Sequence, residues 1–173
     1  ATNYVHNARS PAWVANNCTI SAETMVSPFG NGSVLKIQPN SAPSNHYIAL
    51  PLDGSSNRGT SPPENAIYTY SLVIKPTGFS RIALSLKNRA GVTSSVSYDM
   101  SGSVVIQNSA TGRIFKDTDS FWQLELSTNI GIGSTIPQLE MHFEQGDGSR
   151  VFTGSDASFI HIAYCGLENN TEA

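Results

Sequence analysis

The stretch Phe152–Glu168, FTGSDASFIHIAYCGLE, decides the fold. A polar turn leads into a β-rich run, and almost nothing follows. At period two, Ile160, Ile162 and Tyr164 share one face, and Phe159, His161, Ala163 and Cys165 share the other. Both faces are largely apolar, whereas a strand wet on one side keeps that side polar. The run is therefore expected to be covered twice. One cover is the core of a sandwich. The other is a neighbouring subunit, a larger surface, or the N-terminal segment around Val5 and Trp13.

Outward from this run the same period recurs. Tyr68, Tyr70, Leu72 and Ile74 share a face in Ala66–Lys75. Ile82, Leu84 and Leu86 do so in Arg81–Lys87, against Arg81, Ser85 and Lys87. Trp122, Leu124 and Leu126 alternate with Gln123, Glu125 and Ser127, which predicts a core Trp122. Leu139, Met141 and Phe143 alternate with Gln138, Glu140, His142 and Glu144. Each pattern predicts a strand with one buried and one wet face. Shorter strands are expected at Thr2–His6, Cys18–Ala22, Val34–Gln38, Tyr47–Leu50, Ser95–Tyr98, Val104–Gln107, Arg113–Phe115 and Phe159–Tyr164. Gly-rich turns punctuate them, and Gly146-Asp-Gly148 reads as a tight hairpin. Residues 53–65, with Pro62-Pro63, form a loop. About a dozen short strands without a helix-period segment predict one all-β domain over residues 1–173. Its architecture is an antiparallel two-sheet β-sandwich of jelly-roll type.

Composition supports this class. The chain has 173 residues, enough for a real core, with 13% charged residues, 14 Gly and 9 Pro. A net charge of −3 leaves no basic footprint for nucleic acid. No apolar run is long enough to span a bilayer. Ala1, of the kind left when an initiator Met is removed, gives the expectation of a whole mature polypeptide. Cys18 and Cys165 are too few for a disulfide framework and read as free thiols.

Chemistry-bearing sets are few. Glu140, His142 and Glu144 fall on one strand face about 7 Å apart. Paired carboxylates at such spacing serve as acid and base or nucleophile in glycoside hydrolysis. A His stands between them here and no aromatic platform lies nearby, so the set reads as a solvated face. No second His stands at ligand spacing to His142, and His6, His46 and His161 are isolated. Asp147, Asp156 and Glu168 are candidate ligands for a structural calcium but form no loop motif. No other cofactor is expected. Sugar recognition uses aromatic faces and planar polar side chains. Gln123, Glu125, Gln138, Glu140 and His142 are the candidate ligand face.

The ordered set of segments resembles a known family. NYVHNARSPAW (Asn3–Trp13), SPFGNGSVLKI (Ser27–Ile37), IYTYSLVIKP (Ile67–Pro76), SFWQLEL (Ser120–Leu126) and the closing strand match, in order, carbohydrate-binding-module-like jelly rolls of phage tail fibres, tailspikes and other virion proteins. The resemblance covers roughly Asn3–Glu168. Gln123 stands where the family often has Arg, and Ala163-Tyr-Cys-Gly166 where it has Trp-Gly-Ala-Gln. The resemblance implies a non-catalytic phage virion surface protein, foremost a capsid decoration or cement protein docked on the shell. The alternative is a tail-fibre or lectin-like module binding host-surface carbohydrate, and the third reading is a glycan-active enzyme. It also implies a virion-surface location after assembly in the host cytoplasm. It implies a homo-oligomer, expected as a trimer, with Phe159, His161 and Ala163 near the contact surface.

Overall fold

The computed structural model describes residues 2–117 and 120–170. Ala1, read above as a mature N terminus, lies outside them. The strands in chain order are β1 Val14–Asn16, β2 Cys18–Ser27, β3 Gly30–Pro39, β4 Pro43–Asn45, β5 Tyr47–Pro51, β6 Ile67–Thr77 and β7 Arg81–Lys87. They continue with β8 Thr93–Asp99, β9 Ser103–Asn108, β10 Thr111–Lys116, β11 Trp122–Asn129, β12 Gln138–Glu144, β13 Val151–Thr153 and β14 Phe159–Asn169. The described residues contain no helix. One sheet runs β10-β11-β6-β14-β3-β2 and a second runs β1-β5-β12-β7-β8-β9. All pairings are antiparallel, so the fold is the expected two-sheet sandwich.

The alternating residues fill the space between the sheets. Tyr68, Tyr70, Leu72 and Ile74 from β6 pack with Ile82, Leu84 and Leu86 from β7, and with Leu139, Met141 and Phe143 from β12. All ten have no exposed surface. Two tyrosines cross this core with their hydroxyls. Tyr70 Oη donates to the Glu140 carbonyl at 3.1 Å, and Tyr98 Oη donates to the Glu125 carbonyl. A buried phenol needs an acceptor, and these two find theirs in the opposite sheet. They thereby fix how the sheets sit on one another. Trp122 is on the core side as expected, but at its rim. It is half-buried, with the Lys116 ammonium 5.3 Å from its ring centre. Cys18 and Cys165 are free. Burial pushes the Cys18 thiol up to about 12 and raises that of Cys165 as well.

The last strand is interior. β14 pairs with β6 along its whole length. On its other side, Ile160–Ile162 pairs with β3. Beyond that point the N-terminal segment takes over. The Cys165 amide donates to the Ala8 carbonyl, Tyr4 donates to the Leu167 carbonyl, and Asn3 bridges to Glu168. The strand expected at Thr2–His6 is reduced to these bridges. Its outer edge is tied instead to the 53–65 loop, through His6 to Arg58 and Thr60 to Tyr4.

The register of β14 slips between Ile162 and Tyr164, a β-bulge at Ala163. The strict alternation read from sequence therefore fails here. Ile160, Ile162, Cys165 and Leu167 enter the core, while Tyr164 turns to the outer face. Ala163 is buried too, in a small outer cluster with Val34, Val73 and Phe121, flanked by Met25 and Tyr164. The second apolar side of the strand is thus covered at Ala163 by its own chain. His161 is also buried and reaches Glu23 at 3.3 Å, and Phe159 lies under Lys36.

Two further expectations change. Gly146-Asp-Gly148 is a turn, with Gln145 N–H donating to the Ser149 carbonyl and Gly148 at φ 90°. It is not a hairpin, because β13 leaves β12 to pair with β4. The wet face expected on β7 is also closed: Arg81, Ala83 and Ser85 are all buried.

The tie between the termini gives a test. Asn3 Oδ1 accepts from both the Leu167 and Val5 amides, at 2.9 and 3.0 Å. Asn3→Ala leaves two backbone donors without that acceptor, which costs about 1–3 kcal/mol. Urea unfolding of the two proteins measures it, and an unchanged midpoint contradicts the tie.

Candidate functional site

The candidate ligand residues divide between the two outer faces of the sandwich. Gln138, Glu140 and His142 lie on β12, outside the second sheet. Gln123 and Glu125 lie on β11, outside the first. No single groove contains all five.

The second-sheet face is a closed polar layer. Glu140 accepts from Ser85 Oγ at 3.2 Å and Gln138 Nε2 at 2.6 Å, and pairs with His142 Nε2 at 2.8 Å. The Tyr47 ring stacks on His142, 4.7 Å between centres. Glu144, almost fully buried, accepts from Ser97 and Arg150 and pairs with Arg81 at 3.2 Å. Beneath these side chains Ala83 has no exposed surface and Ser85 almost none. The solvated face expected for Glu140, His142 and Glu144 is therefore mostly self-covered. Burial pushes the Glu140 carboxyl up, but the hydrogen bonds from His142, Gln138 and Ser85 and the His142 charge outweigh it. The net shift is downward, so this group is held as a carboxylate and is a poor proton donor. A general acid for glycoside hydrolysis needs the opposite shift.

The first-sheet face is open. Three registered rows cross β11, β6 and β14: Gln123–Val73–Tyr164, Glu125–Ser71–Gly166 and Ser127–Thr69–Glu168. A groove of two adjoining compartments runs along them. One, about 360 Å³, is lined by Phe29, Val73, Gln123, Tyr164 and Gly166 together with Ser71, Glu125 and Glu168. The other, about 400 Å³, shares those last three and adds Thr69, Arg113, Ser127, Asn169 and Asn170.

Each wall has a local cause. The bulge aims Tyr164 outward. Its ring stacks on Phe29, 5.5 Å apart and 24° from parallel, and the Arg9 guanidinium lies 4.9 Å from the Phe29 centre. Arg9 Nε donates to the carbonyl of the bulged Ala163. The Tyr164 hydroxyl accepts from Asn3 Nδ2 at 3.3 Å. Burial, with Glu168 second, pushes its pKa up, so it stays a neutral phenol. Gly166 makes room for it: a Cβ there would stand 2.6 Å from Tyr164 Oη. Opposite, Gln123 Nε2 donates to Glu125 Oε2 at 3.1 Å, and Arg113 pairs with Glu125 Oε1 at 3.4 Å. The Glu125 backbone is the one that Tyr98 holds from the far sheet. Thr69 Oγ1 bonds Ser127 and Asn170, which settles the polar end.

Alternation along β11 marks Gln123 and Glu125 as outward-facing, but no such signal marks Tyr164 or Phe29. Strict period two groups Tyr164 with Ile160 and Ile162, because a bulge leaves no periodic signal. Phe29 sits in a turn, where alternation says nothing. The calcium candidates stay apart. Asp147 caps its own turn through the Ser149 amide, Asp156 lies in the turn before β14, and Glu168 borders the groove. Among the described residues no three His, Cys, Asp or Glu side chains converge as a metal site. His46 is buried between the carbonyls of Asn17 and Phe152.

No protein-family model matches the chain, and no curated protein matches it. Solved structures do match in fold. The chain is similar over 96% of its length to the enzymatically active domain of tailspike protein 4 of bacteriophage CBA120, at 9% identity and a TM-score of 0.58. It covers 21% of that chain. It is similar over 98% of its length to the CBM22-1–GH10 modules of Clostridium thermocellum xylanase 10B, at 10% identity and a TM-score of 0.53, covering 29% of that chain. A proposed sugar-binding protein of Bacteroides thetaiotaomicron matches at 12% identity and a TM-score of 0.51, over 98% of this chain and all of that one. At these identities the likeness concerns the β-sandwich alone.

The closed polar layer predicts a pH dependence. Glu140 has a folded-state pKa below its ordinary 4.5, so its stabilising contribution is complete above that value and is lost as pH falls through the folded pKa. Melting temperature should therefore fall below about pH 4.5, and Glu140→Gln should flatten that fall. A variant with the same acid limb as the wild type contradicts the assignment.

Proposed function

We propose that this chain is a non-catalytic glycan-binding module, the tail-fibre or lectin-like alternative among the readings of its sequence. The observation that carries this is the open groove along β11, β6 and β14. It joins a supported tyrosine face to a row of planar amide, carboxylate and hydroxyl side chains. Sugars present an apolar C–H face and a rim of hydroxyls. The first packs on an aromatic ring, and the second needs directed donors and acceptors. Tyr164 supplies the ring. Gln123, Glu125, Ser71 and Glu168 surround it as partners.

Binding rather than hydrolysis follows from how the acids are held. Glu125 is already engaged by the Arg113 guanidinium through Oε1 and by the Gln123 amide through Oε2. Glu144 is committed to two arginines and a serine under the other face. The decoration role gains no support from the groove, which is recessed and built for a small, hydroxyl-rich ligand rather than for a broad docking surface.

Affinity electrophoresis through gels containing soluble plant, algal and bacterial polysaccharides tests the reading. At least one should retard the protein without release of reducing ends. Phe29→Ala removes the ring behind Tyr164 and should weaken retardation about two- to tenfold, on the scale of ~0.5–1.5 kcal/mol for an aromatic pair. Tyr164→Ala should abolish it. Both variants must still melt cooperatively. Retardation unaffected in both variants removes the groove from the reading. Hydrolysis that collapses in Glu125→Gln or Glu168→Gln replaces binding with catalysis.

A further inference from the structure

We infer that the groove selects uncharged glycans, takes at least two consecutive sugar rings, and turns acidic glycans away at its centre. This rests on the glycan-binding reading above and adds ligand class and length to it.

The length follows from the register. The groove floor runs along β6 from Val73 through Ser71 to Thr69, about 14 Å at a strand rise near 3.4 Å per residue. That span exceeds one pyranose ring. The two compartments also differ in chemistry. The Val73 end has Phe29, Tyr164 and Gln123, so it offers an aromatic face with one amide. The Thr69 end has Ser127, Arg113, Asn169 and Asn170, so it offers only polar contacts. One ring packs its face at the first end, and the next is held by its hydroxyls at the second.

The charge preference follows from what the compartments share. Ser71, Glu125 and Glu168 line both, so any chain that spans the groove passes the two carboxylates. They flank it from β11 and β14, with β6 between them. Among the described residues, Arg113 is the one cation lining either compartment. It pairs with Glu125 Oε1, while its side chain is 71% exposed and screened by water. The junction is therefore net negative. Hydroxyls meet it as donors to carboxylate acceptors, which are the stronger kind of hydrogen bond. A uronate or sulfate brings a like charge into the same recess and meets repulsion.

The experiment compares neutral polysaccharides (xylan, galactomannan, laminarin) with acidic ones (alginate, polygalacturonate, hyaluronan) at low and high salt. Retardation by at least one neutral polymer and by no acidic polymer at low salt is expected. In the Glu125→Gln/Glu168→Gln protein the neutral-to-acidic preference should fall at least tenfold. Acidic polymers binding the wild type as strongly as neutral ones would overturn the inference, as would a preference unmoved by the double substitution. Retardation by none of the six sinks the glycan-binding reading itself, a distinguishable result. For length, oligosaccharides of the retarding polymer are titrated calorimetrically. The disaccharide should bind at least tenfold more tightly than the monosaccharide. Thr69→Val, at the polar end, should weaken the disaccharide but leave the monosaccharide unchanged. Equal affinity for the two sugars, or a Thr69→Val effect on both, contradicts the two-ring assignment.

Discussion

The bulge at Ala163 is the constraint on which the rest depends. β14 lies between β6 and, in turn, β3 and the N-terminal segment, so every backbone group along it must find a partner. Where β3 ends its pairing, the strand gains an extra residue. The bulged carbonyl accepts from Arg9, and the next amide but one, that of Cys165, donates to Ala8. The slip keeps Ile160 and Ile162 in the core and brings in Cys165 and Leu167. It also turns Tyr164 away from the core. An unbulged strand would bury Tyr164 and present Cys165 to the groove, so one local irregularity serves both the packing and the site.

The two outer faces show how the same alternation gives opposite results. On the second sheet, long side chains on β12 lie over alanine and serine on β7 and β8, and each charge finds its partner nearby. Removing one partner of such a buried set strands the other, which costs more than the set contributes when intact. That face is therefore best understood as a polar lid over small side chains. On the first sheet, Ser71 and Gly166 occupy the centre, and the long side chains stand at the sides. The Tyr164 ring reaches over Gly166, and a groove remains beside it.

The sandwich and the groove are also linked through the core. Tyr98 reaches across from β8 to the backbone of Glu125, and Tyr70 reaches from β6 to the backbone of Glu140. Each outer face thus has one carboxylate residue whose main chain is anchored from the opposite sheet. Preorganised walls lower the ordering cost of binding. Here the preorganisation comes from tyrosine hydroxyls that must be satisfied once buried.

Period-two alternation by itself determined the strands and the core. β7 and β12 begin and end where the pattern does, and Tyr68, Tyr70, Leu72, Leu124, Leu126, Leu139 and Phe143 are buried as alternation requires. Alternation is a local property of a pleated strand, so it is written in the sequence. What lies outside each sheet is not local. Whether Glu140 is wet depends on how His142, Ser85 and Tyr47 gather around it, and whether Gln123 lines a groove depends on Phe29 and Tyr164 arriving from β14 and a distant turn. The bulge, too, is decided by the end of β3 and by the N-terminal segment, more than 120 residues away from Ala163 in the chain. Only the tertiary structure sets those meetings, because each joins residues whose separation along the chain carries no period.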